Sequence, residues 1–145
     1  MGSPDLRRFV QDTLTATTGK SAPDLVAIGA AYDLLCAALR ARLHPIFGTV
    51  ATGALFARAV HITAAEYEWL AEVLPPGAAT CSIEGLAGLE GGVQPRLVEA
   101  GLAAVLARVI GLLGELVGED LVMPLVTEAW ASPRHSAGPT MVEDL

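Results

Sequence analysis

A run of small side chains constrains this chain more than anything else in it. Between Gln94 and Val117 the residues Ala100, Ala104, Ala107, Gly111 and Gly114, with Gly118 just beyond, follow one another at steps of four, three, four, three and four. Residues so spaced share one face of a helix. Leu102, Leu106, Val109, Leu113 and Leu116 form a bulky row roughly 200° around the axis, at about 100° per residue. One side therefore fills a core, while the other lets a neighbouring backbone approach to the short end of the usual range of about 8 to 10 Å. Glycine inside a helix costs on the order of 1 kcal/mol relative to alanine, which close packing offsets. The spacing predicts a buried central helix at about 94–117, with Ala100, Ala104, Ala107, Gly111 and Gly114 as helix-packing or interface positions.

A helix of that kind needs partners, and the rest of the chain supplies them. The 145 residues suit one domain and are 52% hydrophobic, well above what a disordered chain carries. Ser3-Pro4-Asp5 reads as a helix start, and a short helix should run to about Leu14, with Thr15 to Lys20 as a connector. Ser21-Ala22-Pro23-Asp24 repeats the signal in the manner of a capping box. The helix it opens carries Leu25, Ile28, Tyr32, Leu35 and Leu39 on one stripe, with Gly29, Asp33, Cys36 and Arg40 on another side. His44-Pro45 is expected to stop it.

From Thr49 to Leu74 the row Phe56, Ala59 or Val60, Thr63, Tyr67, Leu70 and Leu74 predicts a long apolar face, and Arg58, His61, Ala65, Glu68 and Glu72 a solvated one. Thr63 and Glu66 also suit a capping box, which would split this helix in two. Residues 78–92 form the longest connection, with Ser82 able to cap a short helix and Gly85, Gly88, Gly91 and Gly92 read as loop flexibility. Such a segment is either a lid over the core or a surface that meets another chain. Gly118 should end the central helix and Asp120 cap a last one, Leu121 to Trp130. The expectation is an all-α fold, an irregular four- to five-helix bundle spanning 1–131 as one domain. Pro133, Gly138 and Pro139 argue for an extended C-terminal tail, 132–145.

Several function classes are disfavoured. A formal net charge of -7 with scattered arginines is a poor match for nucleic acid or an anionic membrane. Cys36 and Cys81 are too few for a disulfide framework and have no zinc-ligand spacing, so they are expected to be independent buried thiols in a reducing cytoplasm. No leader or membrane span is expected, since the most apolar stretch, 97–117, is interrupted by Glu99, Arg108 and Glu115. Lys20 is the single lysine, and arginine, alanine and glycine dominate, as in chains from GC-rich bacterial genomes.

Catalytic signatures are equally sparse. His61 has alanines at the positions three and four residues on, where a helical metal site needs ligands. It is followed by Ile62, Thr63, Ala64, Ala65 and Glu66, unlike the basic and glycine residues that follow a phosphotransfer histidine. Length and helix content invite comparison with a globin, yet no histidine lies between His61 and His135 to hold a haem, leaving at most a haem-free, globin-like form. No cofactor and no metal is expected. The leading expectation is a non-catalytic interaction or regulatory module of a bacterial cytoplasm, self-associating as a homodimer or meeting another protein, with Trp69 and Trp130 as further packing or interface residues. The competing expectation is a signalling sensor that encloses a small apolar ligand among Tyr32, Leu35, Phe56, Tyr67, Leu106 and Val109.

Overall fold

A computed structural model describes residues 4–19, 24–75 and 80–131, so Ser3, Ser21 and the tail fall outside the described residues. Among these, six helices pack against one another without a strand: α1 (Pro4–Thr18), α2 (Leu25–Ala64), α3 (Leu70–Val73), α4 (Ile83–Gly88), α5 (Pro95–Val117) and α6 (Glu119–Ala131). The all-α bundle is as expected. Several boundaries are not.

The first helix continues through the expected connector to Thr18, because its threonines find partners inside it. Thr13, Thr15 and Thr17 each donate a hydroxyl hydrogen bond to the carbonyl four residues earlier, and Thr18 donates to Thr15. Such back-bonding satisfies a polar group that would otherwise favour a turn. Gly19, with a left-handed φ of 70°, ends the run. The start of α2 is held by Asp24 itself, whose Oδ1 accepts from the Ala27 N–H at 2.8 Å, rather than by Ser21.

His44-Pro45 does not stop α2. Pro45 lies on the exposed side, and the helix continues to a break at Gly48, where φ is 85° and ψ 166°. That break divides α2 into limbs of 25–47 and 49–64. Arg40 and Phe56 lie eight residues to either side of Gly48, about 24 Å apart along a straight helix at 1.5 Å per residue. Yet the Arg40 guanidinium sits 4.2 Å from the Phe56 ring centroid. The limbs therefore fold back on one another as a helical hairpin.

The expected helix over 49–74 is two. The second limb of α2 ends at Ala65, residues Ala65 to Trp69 form turns, and α3 is a single short helix. Trp69 consequently precedes α3 instead of riding a helix edge.

Central placement of α5 holds, and its bounds match the expected 94–117. It packs against α1, α2 and α6, and is buried on nearly every side from Val98 to Leu113. Ala104, Ala107 and Gly111 are buried, Ala100 and Gly114 half-buried, and Gly118 exposed. The small seam is thus covered along its middle and opens at its ends. The bulky row is buried from Leu102 to Leu113, but Leu116 is exposed. Gly118, at φ 94°, turns the chain, and α6 starts at once with Glu119, leaving Asp120 in its first turn rather than capping it.

Helix α6 returns along the first limb of α2. Trp130 donates its indole N–H to the Leu35 carbonyl at 3.1 Å, and Arg42 pairs with Glu128 at 2.8 Å. Rising numbers in α6 meet falling numbers in α2, so the two run antiparallel. The start of α6 therefore lies at the same end of the bundle as Gly48.

Candidate functional site

Two places merit description as sites. The first is a polar cluster on the flank of the first limb, under residues 80–89. Ser82 caps α4 by accepting from the Gly85 N–H at 3.0 Å, as expected. Leu86 and Leu89 are buried, and Leu86 lies where a Cβ on Gly29 would be, 2.6 Å away. Gly85 approaches α3 so closely that a Cβ would collide with the Glu72 carbonyl. This glycine serves close packing, not loop flexibility, and the segment is a lid laid on the core.

The lid brings Cys81 to Asp33, whose Oδ1 accepts from the Cys81 N–H at 2.9 Å. The Cys81 thiol also lies within hydrogen-bonding reach of that carboxyl, and the Tyr32 hydroxyl within reach of Cys36. Both cysteines are free and buried, as expected. They are not independent, because each feels the same Asp33 charge and Cys81 also feels Cys36.

Burial dominates the chemistry of this cluster. It pushes the Cys36 thiol up to about 12 and raises Cys81, where the Asp33 carboxylate adds to the effect. Tyr32 is held well above its ordinary value, first by burial and then by Cys36. Asp33 is raised by burial against the opposing hydrogen bonds from Cys81. A thiol reacts and binds metal as thiolate, so these two are held in the inert form. Among the described residues no group of three or more His, Cys, Asp or Glu is placed to hold a metal ion. Two buried polar atoms, Arg40 Nε and Glu99 Oε2, have no hydrogen-bond partner.

The second place is the outer face of the second limb. Thr52, Phe56, Ala59 and Thr63 turn inward at steps of four, three and four, and are buried. Opposite them Val50, Ala54, Ala57 and His61 form an outward row at the same spacing, all exposed. From Ile46 to Thr63 the single permanently charged residue is Arg58. Helices α2 and α5 are both long and apolar enough to cross a membrane, but the apolar window of α5 is 72% buried and that of α2 is 22% buried. Val50 is 86% exposed and Ile46 59%. Leu116 and Leu121, also exposed, flank Gly118 at the same end of the bundle as Gly48.

The other residues singled out from sequence fall as follows. Tyr32, Leu35, Phe56, Leu106 and Val109 lie sealed in one continuous core, while Tyr67 is half-buried. Trp69 stacks edge-on against Tyr67, with centroids 5.7 Å apart, and lies over Gly101, where a Cβ would come within 2.6 Å of the indole. Trp130 packs on Phe9, 5.9 Å between centroids. Both tryptophans are thus spent within the molecule, one over α5 and the other between α1 and α2. The sequence reading missed the outward row. Its signal was the near absence of charge over 46–63, hidden because Arg58 and His61 were assigned to a charged face continuing into Glu68 and Glu72.

No protein-family model, curated protein or solved structure matches the chain.

Proposed function

We propose that this chain is a non-catalytic helical interaction or regulatory module that associates with its own copies. One observation carries the reading: the second limb of α2 keeps an uncharged face turned to water while its inner face is packed. Exposed apolar surface forgoes about 25 cal/mol per Å² of burial, and contiguous patches of it mark interaction surfaces. The reading is supported by what the polar cluster does. Its thiols are held protonated and its carboxyl is occupied by the lid, an arrangement that fixes structure rather than activates a nucleophile. A bacterial cytoplasmic setting belongs to the same proposal, and the free thiols agree with it.

Sedimentation equilibrium across micromolar to millimolar concentration tests the proposal. The wild-type chain should dimerise, and Val50→Asp should weaken the dimer at least tenfold, about 1.4 kcal/mol, without lowering the melting temperature of the monomer. A wild-type chain that stays monomeric throughout would overturn it.

A further inference from the structure

We propose that the second copy docks antiparallel across a two-fold axis at Ala54, second limb against second limb, with Arg58 of each copy over the first turn of α6 in the other. This rests on the self-association reading and adds the arrangement. The outward row bears small side chains at Ala54 and Ala57, so two such helices can approach closely. Its charge is lopsided. Arg58 and His61 lie toward one end of the limb, and the other end is Gly48, Val50 and Ile46.

The start of α6, with Glu119 and Asp120, lies at that second end, as fixed by the Arg42–Glu128 and Trp130–Leu35 contacts. Arg58, Glu119 and Asp120 are exposed and make no ion pair among the described residues. A parallel pairing would stack cation on cation and carboxylate on carboxylate. The antiparallel one places each cationic end over an acidic end. Setting Arg58 opposite Val50 puts the axis midway, at Ala54. The exposed Ile46, Val50 and Leu121 then flank the contact at both ends, extending the apolar surface beyond one helix face toward the roughly 800 Å² per partner that a stable dimer needs.

Cross-linking with a short bismaleimide of about 8 Å reach tests this directly, because the native cysteines are buried. Ala54→Cys should link to its own copy. His61→Cys should not, since in this register the two positions lie about 21 Å apart along the axis at 1.5 Å per residue. Arg58→Glu should weaken the dimer about tenfold, and adding Glu119→Arg and Asp120→Arg should restore it. A dimer in which both cysteine variants link, or neither does, overturns the arrangement while self-association stands. So does a charge reversal that the second reversal fails to rescue. A wild-type chain with no dimer removes the functional reading itself.

Discussion

At the scale of single residues, Asp33 shows how one side chain serves packing at an electrostatic cost. Its carboxyl anchors the lid through the Cys81 N–H, yet burial favours its protonated form. The folded chain therefore holds this proton to higher pH than the unfolded chain does. Stability is untaxed below the ordinary aspartate range, falls as pH rises toward the raised value, and then levels off. Asp33→Asn keeps an oxygen for the Cys81 N–H and cannot ionise. It should gain on the wild type as pH climbs through that window, a difference that urea titrations at several pH values would read. Parallel pH curves would refute the assignment. The sequence placed Asp33, Cys36, Gly29 and Arg40 on one side of the helix, which is correct, because helical periodicity depends on nothing remote. It gave no means of seeing Cys81 arrive from 48 residues away.

Among elements, the bend in α2 separates what periodicity shows from what it hides. A stop was legible near His44-Pro45 and a restart at Thr49, and the true break falls between them. Proline at position 45 loses one backbone donor on an exposed side, where water satisfies the freed carbonyl. Gly48 instead adopts a backbone that other residues adopt only with strain. Gly48→Ala should cost about 1 to 2 kcal/mol by that strain, since nothing lies within 4 Å to clash. Chemical denaturation would measure it, and an unchanged midpoint would mean the left-handed conformation is not the bend's requirement. The end of α1 was misread for a related reason: threonines suggest a turn, but their hydroxyls can be satisfied within the helix.

Over the whole molecule, α5 organises the rest. Its two rows were plain from sequence because both are long and regular, and its burial on nearly every side follows from having helices against both. The lid was legible as a segment but not as a packed layer, since Gly85 and Gly29 look like flexible residues until something is seen lying against them. Gly85→Ala should lift the lid from α3, destabilising the fold by roughly 1 to 3 kcal/mol as an overpacked contact. It should also speed labelling of Cys81 by a thiol reagent at least tenfold over the wild type. Equal labelling rates would place the strength of the lid elsewhere.

The hairpin apex carries a mechanical implication. Since the space around Gly48 is open, no neighbour wedges the two limbs at their joint, and the nearest cross-brace is Arg40 seated on Phe56. The joint behaves like a pair of tongs whose spread is governed partway down the arms. The tilt at which the outer row meets the world outside is then set by an arginine on the opposite arm.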